Sequence, residues 1–327
     1  MVKRDGDSPA HKETELDPQV KALLEMMAAA GVGAPKMIDL PAAVARANTE
    51  VGFAGFNAGA PEIGSIIDRM IPGPGGEIPL KVFTPKGAGP FPLLVYLHGG
   101  GWVIMSPNTH SKICAELAEG AGVVVVSPHY RLAPEHLPPA QLDDCIATVH
   151  WAVENAAELN ADGSRFAIGG DSAGGNLAAA ACLRLRDESG PQAKLQLLFY
   201  GAYLLDPDTE SSLRNADAQI LPRETMVWFI DHYLSGGATV TDPYIAPIHG
   251  DLHGLPPARL MVGTLDVLLD DSKAYAAKLE AAGVPATLTI YEDMPHVFMQ
   301  LTAMLDGAKN GMAEACGALR EALGEGS

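Results

Sequence analysis

Gly169-Gly170-Asp171-Ser172-Ala173-Gly174-Gly175-Asn176 stands between an apolar run that begins at Phe166 and an alanine-rich stretch that continues to Arg186. Gly170, Ser172 and Gly174 form a G-x-S-x-G pattern, with a strand-like run before it and a helix-like run after it. A serine held on so sharp a turn is open to both a base and a substrate. Glycines two residues to either side are needed because bulkier residues there would block the backbone. The stretch therefore predicts a strand-turn-helix unit with a nucleophile at its apex.

Short apolar runs suited to buried strands recur on both sides of it: Leu93 to Leu97, Val123 to Ser127, Leu195 to Tyr200, Arg259 to Val262 and Thr287 to Tyr291. Between them lie helical patterns over Ser111 to Glu119, Leu142 to Glu158, Gly175 to Arg186 and Asp271 to Ala282. Strand alternating with helix predicts an α/β fold with a mostly parallel sheet covered on both faces. Upstream, Ile63 to Ile71 and Ile78 to Phe83 predict a hairpin around Pro72-Gly73-Pro74-Gly75-Gly76, supplying antiparallel edge strands. Two helices are expected before it, one over Val20 to Ala30 capped at Asp17-Pro18 and stopped at Gly31 and Gly33, the other over Pro41 to Thr49. Phe53 to Asn57 reads as loop. Residues 203–250 break the alternation, with a helical stretch around Glu224 to Tyr233 and a proline-bearing loop. At the sheet end where catalytic loops gather, they form a candidate lid.

A serine hydroxyl attacks only if an imidazole takes its proton, and the imidazole works best when a carboxylate fixes its tautomer. The nucleophile turn predicts the chain order serine, acid, histidine. Arg259 to Val262 runs into Gly263-Thr264-Leu265-Asp266, and Thr287 to Tyr291 runs into Glu292-Asp293-Met294-Pro295-His296. Asp266 and His296 thus stand at strand exits, where the edge of a parallel sheet gathers its site. Asp270 and Asp271 read as the start of the next helix, and Asp293 as the solvated part of its loop. His150 and His232 fall within helical patterns, and His249 and His253 in loops near the lid. For the oxygen that becomes negative, His98-Gly99-Gly100-Gly101-Trp102 offers backbone N–H groups free of any Cβ, and Ala173 a further one at a helix start.

His98-Gly99-Gly100-Gly101, Tyr130-Arg131-Leu132-Ala133-Pro134-Glu135-His136 and the Gly170-to-Asn176 turn, in this order, resemble the hormone-sensitive-lipase-like family of carboxylesterases. That family has the α/β-hydrolase fold, and the chain resembles its bacterial branch with a GDSAG motif over roughly residues 60–320. The resemblance implies Ser172 as nucleophile, Asp266 as acid and His296 as base, with Gly100, Gly101 and Ala173 as oxyanion donors. It implies a catalytic domain over 56–202 and 251–327, a helical cap region over 1–55 and a cap insertion over 203–250. Trp102, Met226, Trp228, Phe229 and Val297 are candidate pocket residues. His98 and Tyr130 to His136 are expected supports, with Arg131 and Glu135 bracing the loop through charge-assisted hydrogen bonds. The chain departs from the family in Asp266-Val267-Leu268, where Asp-Pro-Leu is frequent, and in His296-Val297-Phe298, where His-Gly-Phe is common.

The expected activity is hydrolysis of short- to medium-chain esters through an acyl-enzyme. An amidase or deacetylase with the same triad is the alternative, and a ligand-binding receptor on this fold would be expected to lack the histidine. With a formal net charge of −18 over 327 residues, the long-range field repels nucleic acid and anionic membranes. Cys114, Cys145, Cys182 and Cys316 lack metal-ligand spacing and read as buried thiols of a reducing compartment. The start, Met1 to Asp17, is polar and charged, which is not a signal-peptide pattern. No uncharged apolar run of about 18 residues suggests a membrane span. The expectation is a cytoplasmic protein with no cofactor and no metal, a small ester as its partner, and a homodimer as an admissible assembly.

Overall fold

The computed structural model describes residues 16–30 and 35–324. Two helices come first, α1 (Pro18–Ala30) and α2 (Ala42–Phe53). Asp17 caps α1, its Oδ1 accepting from the N–H groups of Gln19 (2.8 Å) and Val20 (3.3 Å). The expected stop at Gly31 and Gly33, like most of the polar start, lies outside the described residues. Phe53 to Asn57 is not loop: Phe53 ends α2, and Ala54–Asn57 forms a 3-10 turn.

The sheet begins with the hairpin β1 (Ser65–Gly73) and β2 (Gly76–Thr84), whose pairing extends to Gly73 opposite Gly76. The turn is thus confined to Pro74-Gly75. There follow β3 (Phe91–Leu97), α3 (Ser111–Ala121), β4 (Val124–Pro128), α4 (Ala140–Glu154), β5 (Ala161–Asp171) and α5 (Ala173–Asp187). Next come β6 (Gln196–Phe199), α6 (Glu210–Arg214), α7 (Arg223–Tyr233), β7 (Ala258–Leu265), α8 (Leu269–Ala281), β8 (Ala286–Pro295) and α9 (Asp306–Leu323). The strand order is β1-β2-β4-β3-β5-β6-β7-β8. From β4 to β8 every pairing is parallel, and the hairpin joins through the antiparallel pair β2–β4.

Strands β3 and β4 are buried from end to end and almost wholly apolar because both faces are covered. Along β3, Leu93, Val95 and Leu97 pack with Leu142 of α4 and Leu177 of α5, whereas Leu94 and Tyr96 pack with Leu117 of α3 and Leu319 of α9. Alternation along one strand thus feeds two cores. Helix α9, which lies outside the helical patterns expected from the sequence, fills the second of them. The helix expected over Leu142 to Glu158 ends at Glu154 and gives way to a 3-10 turn at Ala156–Leu159. His249 also closes a 3-10 turn, Pro247–His249, instead of lying in open loop. All four cysteines are free and buried. Among the described residues, no helix is long and apolar enough to cross a membrane.

Candidate active site

β5 ends at Asp171 and α5 begins at Ala173, so Ser172 is the whole turn between them. Its backbone sits at φ 55°, ψ −121°, a strained conformation for a residue with a side chain. The crossing is tight enough that a Cβ on Gly170 would stand 2.5 Å from the carbonyl oxygens of both Gly174 and Leu97. A Cβ on Gly174 would collide with the Leu97 carbonyl. The two glycines are therefore required by the close approach of β3 to the elbow.

Leu265 and Pro295 are paired across β7 and β8 after a register shift. Asp266 and His296, one residue further along each strand, consequently leave the sheet side by side. His296 Nδ1 lies 2.8 Å from Asp266 Oδ2, and its Nε2 lies 3.0 Å from Ser172 Oγ. Asp266 is acceptor-only, which puts the ring proton on Nδ1 and leaves Nε2 to accept from the serine hydroxyl. The second acid oxygen, Oδ1, accepts from the N–H of Leu268 at 2.9 Å. Asp266 is fully buried, and Tyr200 meets the imidazole edge-on at 4.8 Å.

The glycine loop lies against this relay. Gly100 and Gly101 have φ of 111° and 56°, and their N–H groups have no acceptor among the described residues. The N–H of Ala173 is the first of α5, where no intrahelical partner exists. Gly100, Gly101, Ser172 and His296 border a small apolar cavity of about 80 Å³. Phe229 and Val297 line it as well. Trp102, Met226 and Trp228 do not: Trp102 is buried, stacks on Tyr233 at 4.4 Å and reaches Asn176 Oδ1 at 3.3 Å. Met226 is packed into the core, and Trp228 turns to His232 at 4.1 Å. Of the remaining lining, Met37, Ile104, Met105, Ile220 and Leu221 went unsingled in the sequence, since an apolar residue in a loop carries no mark of the space it faces. A larger cleft of about 590 Å³ between α2 and the hairpin holds no member of the Ser172–His296–Asp266 relay.

Asp171, buried beneath the serine, ties β3, the glycine loop and the turn after His296 together. Its Oδ1 accepts from Tyr96 Oη (2.9 Å) and from the N–H of Gly99 (3.1 Å). Its Oδ2 lies 3.2 Å from His110 Nε2 and 3.4 Å from Gln300 Nε2, on the turn that follows His296. Burial by itself would push this carboxyl up, but His110 and the Tyr96 hydroxyl outweigh it and hold it below its ordinary value. Neither His110 nor Gln300 adjoins a motif, so nothing in the chain order marks either for this role.

His98 stacks on Tyr130 at 4.3 Å, and the Tyr130 hydroxyl donates to the His98 carbonyl at 2.7 Å. Burial drives the His98 imidazole well below its usual range, so it stays neutral under the glycine loop. Arg131 forks onto Asp144 at 2.8 and 2.9 Å. Glu135 forks onto Arg46 of α2, whose Nε also donates to the Val103 carbonyl at 2.9 Å. One arginine thus ties α2 to the loop that follows the glycines. Asp271 opens α8, where its buried Oδ1 accepts from the N–H groups of Tyr203 and Leu204, both at 2.8 Å. Asp293 does not lie in a solvated loop: it is half-buried within β8 and accepts from the N–H of Asp17 at 3.0 Å.

Residues 94–300 match a protein family described as having the alpha/beta hydrolase fold. The chain is 40% identical over 252 residues to carboxylesterase NlhH of Mycobacterium tuberculosis, covering 76% of this chain and 79% of that protein. It is 32% identical over 325 residues to the ethyl acetate hydrolase of Pseudomonas putida, covering 94% and 99%. The solved structure of the hyperthermophilic esterase from the archaeon Pyrobaculum calidifontis superposes with a TM-score of 0.89 at 32% identity, covering 94% of this chain and 99% of that one.

Proposed function

This chain belongs to the hormone-sensitive-lipase-like family of the α/β-hydrolase fold and is a carboxylic ester hydrolase, and we propose that it cleaves short- to medium-chain esters through an acyl-enzyme on Ser172. The observation that carries this reading is the unbroken relay from Asp266 through His296 to Ser172, at 2.8 and 3.0 Å, on the wall of an apolar cavity.

Ser172 Oγ attacks the ester carbonyl as its proton passes to His296 Nε2. The imidazolium that forms is stabilised by Asp266, which stays ionised. The carbonyl oxygen takes up negative charge facing the N–H groups of Gly100, Gly101 and Ala173, donors already in place on the wall of an apolar cavity. Collapse breaks the bond to the alcohol oxygen, which leaves with the proton from His296. Water then gives its proton to the same nitrogen and attacks the acyl-serine, releasing the acid and restoring Ser172. The buried Asp171, by holding the Gly99 N–H beside the elbow, keeps donors and nucleophile in register.

The volume supports small substrates. Sites for drug-sized molecules run to about 300–1,000 Å³, against about 80 Å³ here. The test is kcat/KM across p-nitrophenyl esters from acetate to palmitate. The expected maximum lies among the short chains, with a fall of at least about tenfold by laurate. A maximum at palmitate overturns the proposal.

A further inference from the structure

Beside the catalytic cavity lies a second hollow, a groove of about 370 Å³. Leu16 and Leu24 of the α1 region form one side, and Leu265 and Pro295, at the ends of β7 and β8, form another. Ile220 and Leu221 line both spaces and so are the wall between them. Leu221 is buried and Ile220 half-buried.

The position of the groove says which half of an ester it faces. Leu265 and Pro295 immediately precede Asp266 and His296, and no residue of the glycine loop borders the groove. The alcohol oxygen must take its proton from His296 as it leaves, so the alcohol lies on the acid–base side. The carbonyl oxygen turns instead to the glycines. We propose that Ile220 and Leu221 limit the length of the alcohol by closing the cavity off from an outer groove, polar along Arg214, Asn215 and Asp217, whose leucine and proline side fits an alkyl chain. This inference rests on the ester-hydrolase reading above.

The experiment measures acid release from ethyl, butyl and hexyl acetate, and from ethyl hexanoate, by titration at constant pH. The proteins are the wild type, Ile220→Ala, Ile220→Ala with Leu221→Ala, and each variant with Leu24→Trp added to fill the groove. A methylene in an apolar pocket is worth about tenfold or more in kcat/KM. Truncating the wall should therefore raise the hexyl-to-ethyl acetate ratio at least about tenfold, and Leu24→Trp should return it towards the wild-type value. A ratio unmoved by truncation overturns the inference. So does a gain that survives Leu24→Trp, or one confined to ethyl hexanoate. The half-buried Ile220 provides the decisive variant if the double one unfolds. A wild type inert towards every ester would overturn the ester-hydrolase reading instead. Calorimetric binding of 1-hexanol to Ile220→Ala, lost with Leu24→Trp, would then still decide the wall.

Discussion

The ring of Phe229 in α7 lies directly against Gly101 of the glycine loop, close enough that any Cβ on Gly101 would collide with it. Gly101 also sits at a φ of 56°, where an L side chain costs roughly 1–2 kcal/mol. Helix α7 and the glycine loop are thus fitted to each other through a residue with no side chain. Gly101→Ala is expected to lower kcat for p-nitrophenyl butyrate by about 10²–10³, the worth of a displaced oxyanion donor. Adding Phe229→Ala removes the collision, so steady-state kinetics of the double variant should show part of that loss recovered.

Asp266→Asn keeps the shape of the acid but no longer fixes the Nδ1–H tautomer of His296. The expected loss in kcat is about 10⁴, with KM little changed. Circular dichroism should show an intact fold, since the backbone of the acid loop keeps its partners, among them Asn215 Nδ2 donating to the Asp266 carbonyl at 3.1 Å.

Val297 occupies a left-handed conformation at φ 60°, unusual for a β-branched residue, while its side chain walls the cavity. Val297→Gly relieves roughly 1–3 kcal/mol of backbone strain. It also gives up buried apolar surface and frees the unfolded chain, so the net change in stability should stay within about 1 kcal/mol. The cavity widens beside His296. The kcat/KM ratio of p-nitrophenyl octanoate to acetate is expected to rise, as the same ester series would show.

Asp271 carries a pH signature. Desolvation by complete burial raises its carboxyl to about 7, against which the two N–H donors of Tyr203 and Leu204 only partly act. Its other oxygen, Oδ2, has no partner among the described residues. In the unfolded chain the group titrates near 3.9, so between about pH 4 and pH 7 the folded protein binds more protons than the unfolded one. Stability therefore falls as pH rises through that window, by the order of 2–4 kcal/mol. Asp271→Asn should be more stable than wild type at pH 8, with the advantage fading by pH 4. Denaturant melts at the two pH values check the sign.

The sequence was most legible where geometry leaves little choice. The G-x-S-x-G pattern marks Ser172 and the strand exits mark Asp266 and His296, and the three meet at 2.8 and 3.0 Å because a parallel sheet delivers such exits to one edge. The apolar runs marked every strand, yet β5 starts at Ala161, through the polar Asp162-Gly163-Ser164-Arg165. Pairing of Phe91 with Ala161, not hydrophobicity, holds that extension. Helix α9 carries a clear helical period, with Ala308, Met312, Ala315, Leu319 and Leu323 buried every three or four residues, but it follows the last strand, where strand–helix alternation no longer calls for a helix. Phe53 to Asn57 looked like loop because glycine and asparagine there mimic a turn, and a 3-10 turn needs only a few residues. The cavity lining was legible at Phe229 and Val297 and misjudged at Trp102. That indole is buried because the loop bends at Trp102 itself, with φ 61°, and turns the ring towards Tyr233.

The most direct test of the account is kcat/KM for p-nitrophenyl butyrate with Ser172→Ala beside the wild type. The relay through His296 has no other nucleophile within reach among the described residues, so the variant should lose at least about 10⁴-fold while melting at or near the wild-type temperature. Hydrolysis by the folded variant within tenfold of wild type would contradict the assignment of Ser172 as the attacking group.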